Sequence, residues 1–256
     1  MNSKDLLEFE NFATFIAIEA GKVTLEYFCG TYQVEIKEDS SPVTIADRKT
    51  EEKLRQMISK EFPDHGILGE EFGETNPGAE YRWILDPIDG TKPFVAGVPQ
   101  YTVLVALEHQ DDGIIGVIHN PPLERTMVAS QGNGCRLNGV PAHVSKTESL
   151  QDASVLSSCY SNFQKNYPRQ IEEILRTCRF APGWGDAFGY MLVAEGKCDV
   201  MIDAGLKVWD AGPIKVCIEE AGGIFTDWEG KASIHVENGV AANPALHREV
   251  LQILGE

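Results

Sequence analysis

Residues 85–94 read LDPIDGTKPF. Two aspartates, Asp86 and Asp89, stand three residues apart around Pro87, and Gly90-Thr91 follows them. In the preceding Arg82-Trp83-Ile84-Leu85 the last three residues are apolar and β-prone, which predicts a short strand ending on carboxylates. Asp-Pro favours turn initiation, so one reading is a charged surface turn. The other is a site that holds a cation. Downstream, Lys92-Pro93-Phe94 can open a helical turn whose free N–H groups suit a phosphate.

The sequence on both sides decides between these readings. Gly66-Ile67-Leu68-Gly69 is another short apolar run, and it ends on Glu70-Glu71. Far along the chain, Val208-Trp209-Asp210-Ala211 puts a carboxylate at the start of a predicted helix. Taken singly, each has a plain explanation. Glu70-Glu71 suits a solvated loop, and Asp210 suits an N-cap with Pro213 in the first turn. Taken together, converging carboxylates repel one another unless cations lie between them. Hard oxygen ligands without cysteine or histidine point to Mg²⁺ or Mn²⁺ rather than zinc.

Periodicity supplies the frame. Leu6, Phe9, Ala13, Ile16, Ala20, Val23 and Tyr27 recur at alternating spacings of three and four, which predicts one apolar helical face. A second helix is expected over Ala46–Phe62, stopped by Pro63. Tyr101–Leu107, Ile114–Ile118 and Thr126–Ala129 read as an antiparallel meander. Asp111-Asp112-Gly113 is expected at one hairpin turn and Asn138-Gly139 at another. From Gln151 onward strands alternate with helices: strands at Ser154–Ser158, Asp199–Ile202 and Gly223–Thr226, helices at Arg169–Thr177, Ala187–Ala194, Asp210–Ala221 and Ala245–Leu254. Gly222-Gly223 is the expected C-terminal cap. The expectation is a single catalytic domain of two packed halves, about 1–144 and 145–256, in one layered α/β body.

Composition narrows the function. The 256 residues carry a formal charge of −17, with no Lys/Arg run, which argues against nucleic acid and anionic membranes as partners. No apolar run reaches membrane-span length, and MNSKDLLEFE does not read as a signal peptide. The six cysteines form no CxxC pair, which predicts free thiols in a reducing cytoplasm. An anionic substrate in so acidic a protein needs positive charge supplied at the site, as carboxylate-bound metal ions would do.

Glu70-Glu71, the DPIDGT of Asp86–Thr91, WDAGP at Trp209–Pro213 and EEAGG at Glu219–Gly223 resemble the signatures of inositol-monophosphatase-like phosphatases, in that family's order along nearly the whole chain. The resemblance implies a layered αβαβα sandwich, an α/β (α+β) fold, and a Mg²⁺-dependent, commonly dimeric phosphatase acting on a small-molecule phosphate monoester. It implies that Glu70, Asp86 and the Ile88 carbonyl bind one metal, and Asp86, Asp89 and Asp210 a second. A third, looser ion would also touch Glu70. Thr91, with Asp47 of SPVTIAD behind it, would orient the attacking water, and Gly90 and Thr91 would hold the phosphate.

The chain departs from the inositol type, which usually reads GTTNF after the aspartates where this one reads GTKPF. Gly183-Trp184-Gly185-Asp186-Ala187-Phe188 looks like the histidinol-phosphate phosphatase branch. That implies histidinol phosphate as substrate, in histidine biosynthesis, with Asp186 and Asp203 near its amine. Asp186 as a helix N-cap, and an inositol monophosphatase, stand as alternatives. A non-catalytic metal-binding regulator on the same fold is a further one. The DxDGT motif of aspartyl-phosphate phosphatases is not matched, because the spacing here is DxxDGT.

Overall fold

The computed structural model describes residues 3–30, 34–36 and 42–255. The SPVTIAD stretch begins on Ser41, outside the described residues, as do the first two residues of the chain. Helix α1 (Ser3–Tyr27) precedes a small ladder of β1 (Val34–Ile36) and β2 (Pro42–Thr44), then α2 (Ile45–Glu61). Strands β3 (Gly66–Gly69), β4 (Gly73–Thr75) and β5 (Tyr81–Asp89) follow, then the short helix α3 (Thr91–Val95). The meander continues as β6 (Thr102–His109), β7 (Asp112–Asn120), β8 (Arg125–Ser130), β9 (Cys135–Leu137) and β10 (Val140–Pro141). The later elements are β11 (Val155–Leu156), α4 (Tyr160–Asn166), α5 (Pro168–Thr177), α6 (Asp186–Ala194), β12 (Val200–Ala204), α7 (Val208–Glu220), β13 (Ile224–Thr226), β14 (Asn238–Ala242) and α8 (Pro244–Leu254).

These elements stack in five layers. The eight-stranded sheet has the order β10-β9-β8-β7-β6-β5-β3-β4, antiparallel except where β3 runs parallel to β5. On β6, Val103, Val105 and Leu107 pack beneath α1 and α2, with Ile16, Leu54 and Ile58. Leu104 and Ala106, the alternate residues, face α7. With both faces covered, β6 is a continuous apolar run rather than an alternating one. Helices α6 and α7 form the middle layer, and beyond them lies a four-stranded sheet, β11-β12-β14-β13. Helices α5 and α8 cover its far face, where Ile174, Trp228, Val240 and Val250 join one core. The αβαβα sandwich expected from the family resemblance is the observed fold.

Several local expectations are corrected. The first hairpin turns on Gln110-Asp111, both at positive φ (55° and 62°), and not on Asp111-Asp112-Gly113. Gly113 lies in β7, where a Cβ would come within 2.9 Å of Val216 on α7, so close packing rather than turning explains it. Strand β14 was not expected. Asn238-Gly239 reads as a turn and Ala241-Ala242 has weak strand propensity, yet β14 is held between β12 and β13 by antiparallel pairing on both sides. The short β1, β2, β4 and α4 were likewise not foreseen.

Candidate active site

Strand β5 does not end at Leu85. It continues through Asp86-Pro87-Ile88-Asp89, and its register against β6 shifts there. Asp86 pairs with Leu104 and Asp89 with Thr102, so three steps on β5 match two on β6. In a regular strand, residues three apart point to opposite faces. The bulge restores them to one face, the side of Leu104, which is the α7 side. The spacing of the two aspartates therefore brings both carboxylates under α7, while Ile88 between them packs with Ala46, Phe94 and Tyr101.

Neighbouring elements supply the rest. Gly69 pairs with Leu85 in the parallel ladder, and Glu70 N donates to Leu85 O (3.2 Å), which sets Glu70 beside Asp86. Helix α7 begins at Val208, with Lys207 as its N-cap. Asp210 is thus the third helical residue and not the cap itself. Its Oδ2 accepts from Lys207 N (2.7 Å), and Pro213 lies inside the helix rather than in its first turn. Asp86, Asp89 and Asp210 each bring a carboxylate oxygen within 4.8 Å of the others. Burial raises the pKa of Asp86 and Asp89 well above the usual carboxylate range. Glu70, Asp89 and Asp210 add to the effect on Asp86, and Asp186 and Asp210 to that on Asp89. Burial pushes Asp210 up to about 7, with Glu70 adding to it and the Lys207 N–H opposing. A cluster so short of positive charge fits a hard divalent cation.

Beyond β5, Gly90 adopts φ +81°, a left-handed conformation that a Cβ disfavours, and it caps α3. The first helical bond runs from Phe94 N to Gly90 O (3.0 Å), so the N–H groups of Thr91 and Lys92 lie ahead of the ladder. Thr91 Oγ1 donates to Ile88 O (3.2 Å). Asp47 is buried at the third position of α2, and its Oδ2 accepts from Thr44 N (2.7 Å) and Thr44 Oγ1 (2.6 Å). The hydrogen bonds of Thr91 and Asp47 thus run to Ile88 and Thr44 rather than to each other. Burial raises Asp47 to about 6.

The cluster opens into a cleft of about 340 Å³ between β5 and the second sheet. Asp89 Oδ2 accepts from Thr102 Oγ1 (3.0 Å) and from Ala187 N (2.7 Å), tying β5 to the start of α6. Asp186 is the first residue of α6, and the N-cap is Gly185. Asp186 therefore makes no N-cap bond. It sits at φ +54° and lines the cleft, its backbone N–H donating to Ser158 Oγ (2.7 Å). Burial raises its pKa, opposed by Ser158 and the Lys92 ammonium. Asp203 is more fully engaged: Oδ1 accepts from Ser158 N and Oδ2 from Ser158 Oγ, both at 2.9 Å. Burial pushes it up to about 7.

Three residues at this site were not foreseen. Glu51 is fully buried on α2, and its carboxylate accepts from Glu71 N (2.7 Å), Phe72 N (3.2 Å) and Arg55 Nε (2.7 Å). It anchors the loop that carries Glu70, and its oxygen would lie 2.1 Å from a Cβ at Gly69. Its four-residue spacing from Asp47, on the inward face of α2, was the available signal. Ser158 ties Asp203 and Asp186 together, and Tyr190 lines the cleft wall. Neither carries a local sequence signal.

Known proteins resemble this chain in sequence and in fold. The profile of the Inositol monophosphatase family matches residues 5–256. The histidinol-phosphatase of Chlorobaculum parvum is 40% identical over 94% of each chain. The fructose-1,6-bisphosphatase/inositol-1-monophosphatase of Aquifex aeolicus is 32% identical over 98% of this chain and 96% of its own. The crystal structure of the extragenic suppressor protein suhB from Bartonella henselae superposes with a TM-score of 0.91 at 28% identity, covering 96% of this chain and 98% of that one. The chain belongs to the inositol monophosphatase family.

Proposed function

We propose that this phosphatase hydrolyses histidinol phosphate to histidinol with Mg²⁺ as its ion. The observation that carries the phosphatase reading is the convergence of Asp86, Asp89 and Asp210 beside the Gly90 turn. Asp86, Asp89 and Asp210 would hold one Mg²⁺, and Glu70, Asp86 and the Ile88 carbonyl another. That carbonyl has one lone pair engaged by Thr91, which leaves a second. Glu70 would also touch a third, looser ion. Bound there, the ions supply Lewis acidity to the phosphoryl oxygens and lower the pKa of water. The N–H groups of Gly90 and Thr91 receive the phosphate. Thr91 Oγ1 and Asp47 fix the nucleophilic water, and the burial of Asp47 suits it to hold a proton near neutrality.

The histidinol assignment is supported by the acidic wall opposite the metal cluster and by the 40% identity to a histidinol-phosphatase. Asp186 lines the cleft without an N-cap duty, so its carboxylate suits the substrate's ammonium group. Asp203, held on both oxygens by Ser158, contributes charge to the same wall. An inositol monophosphatase is the second reading, favoured by the Aquifex aeolicus relative. The catalytic unit is a single domain of two packed halves, about 1–144 and 145–256, with one hydrophobic core drawing on both. A homodimer in the cytoplasm is part of the same proposal, and six cysteines in the thiol form are in keeping with a reducing compartment.

A substrate panel tests it: histidinol phosphate, inositol 1-phosphate, fructose 1,6-bisphosphate and phosphoadenosine phosphate, each with Mg²⁺ and with excess chelator. Histidinol phosphate should show the highest kcat/KM, and the chelator should abolish turnover. Asp186→Asn should lower kcat/KM for histidinol phosphate about 10- to 100-fold, the worth of a partly solvated carboxylate–ammonium contact, and leave inositol 1-phosphate unchanged. A wild-type preference for inositol 1-phosphate would transfer the proposal to the second reading. Full activity in excess chelator would remove the metal.

A further inference from the structure

Tyr190 is fully buried (0% exposed) on α6, yet it lines the catalytic cleft, and its hydroxyl, beside the Asp203 carboxylate, makes no hydrogen bond of good geometry. Such an atom has a cost: a buried hydroxyl without a partner forfeits its hydration and gains nothing in return. Phenylalanine would fill the same volume without that penalty, and Phe188 stands two residues earlier on the same helix. The ring has ordinary packing, edge-on to Phe225 at 6.1 Å. The hydroxyl thus gains no well-formed hydrogen bond from the fold, and the carboxylates of Asp203, Asp210 and Asp89 lie around it.

The surrounding groups define what would satisfy it. Both oxygens of Asp203 already accept from Ser158, and Ser158 Oγ in turn accepts from Asp186 N. Burial and the nearby carboxylates keep the Tyr190 phenol neutral, so its oxygen retains lone pairs for an incoming donor. A carboxylate-rich wall with one unsatisfied hydroxyl is complementary to a cationic group with several N–H donors. A primary ammonium has three, and Asp186 can take only part of them.

We propose that Tyr190 Oη accepts a hydrogen bond from the ammonium group of the substrate's alcohol moiety, making Tyr190 a specificity-determining residue alongside Asp186. This rests on the histidinol phosphate reading and refines it. The hydroxyl oxygen finds an N–H donor only when substrate is bound.

The test compares wild type with Tyr190→Phe on two esters, histidinol phosphate and 3-(imidazol-4-yl)propyl phosphate, the same molecule without its amine. In the variant, kcat/KM for histidinol phosphate should fall about 10-fold or more, the scale of one charge-assisted hydrogen bond, while the amine-free ester changes less than about 2-fold. The ligand-free variant should melt at the same temperature as wild type or higher, since an unpartnered buried hydroxyl has been removed. Equal loss on both esters, no loss on either, or a lowered melting temperature would overturn the proposal. So would a wild type that does not distinguish the two. A wild-type preference for inositol 1-phosphate instead removes the histidinol reading, and the ratio between the two esters still decides the role of Tyr190.

Discussion

Two clusters among the described residues bring three possible ligand atoms within 4.8 Å of one another: Asp86, Asp89 and Asp210 in the cleft, and Glu108, Asp111 and His235 at the far end of the same sheet. By distance alone they are equivalent. Their partners separate them. Glu108 has the Arg82 Nε at 2.5 Å and His235 Nε2 at 3.2 Å, and Arg82 reaches Glu74 as well. Asp111 is an exposed turn residue of the β6–β7 hairpin. Glu108, the buried member, thus has a counter-charge supplied by the protein. Among the described residues, Asp86, Asp89 and Asp210 accept from backbone N–H and hydroxyl donors, and their closest charged neighbours are other carboxylates. The difference teaches that convergence of acids marks a ligand site only where the fold withholds the counter-charge.

Substitution in the two clusters should break their apparent equivalence. Asp210→Asn keeps an oxygen able to accept from Lys207 N, so the start of α7 survives, but it removes a unit of charge from the cluster. Turnover should fall about 100-fold or more, the scale of a lost metal ligand, while the chelated protein melts no lower than wild type. Glu108→Gln should do the reverse. It removes the partner of Arg82 and should cost about 1–3 kcal/mol in urea unfolding, with kcat/KM unchanged. Near-normal turnover in Asp210→Asn would reduce that residue to the hydrogen-bond partner of the helix cap Lys207.

Glu51 sharpens the comparison from inside the site. It is buried as deeply as Asp86, yet Arg55 and two backbone N–H groups complete it. Its task is to hold the loop on which Glu70 sits. Glu51→Gln keeps the shape and one acceptor oxygen but presents an amide to donors that expect a carboxylate. The apparent affinity for Mg²⁺ should weaken about 10-fold, as for other groups that orient metal ligands, and saturating Mg²⁺ should restore most of kcat. Unchanged Mg²⁺ dependence would show that the loop holds its position without Glu51.

The same contrast explains what could be read from the sequence. Long periodic segments such as α1 were legible because burial of one face repeats at helical spacing. The carboxylate cluster was legible because acids at the ends of apolar runs are conspicuous. The bulge was not, since DPID reads as a turn until its pairing with Leu104 and Thr102 is known. Strand β14 was hidden because its small residues are specified by two neighbouring strands rather than by their own propensity. Ser158 and Tyr190 were hidden for a related reason. A serine or a tyrosine acquires its meaning from the group it faces, and that group lies elsewhere in the chain.

The smallest effect concerns protons, which compete with cations for the cleft. Burial holds Asp203 and Asp210 at about 7, well above an ordinary carboxylate near 3.9. Between roughly pH 4 and pH 7 the native chain therefore retains protons that the unfolded chain has released, and that contribution to stability declines as pH rises. His119 works the other way. Burial lowers it to about 4, so the native state binds fewer protons than the unfolded state up to about pH 6.5. A simple pH–melting curve mixes the two. The difference between Mg²⁺-loaded and chelated protein cancels His119, which does not line the cleft. Mg²⁺ requires its carboxylates deprotonated, so it must displace more protons at low pH than at high pH. The melting-temperature difference should be near zero at pH 4.5 and grow to about several degrees by pH 8, the scale of one or two kcal/mol for a chain this size. Asp210→Asn should flatten that growth, and Glu108→Gln should leave it intact. A difference independent of pH would show that the ion and the protons do not share the same carboxylates.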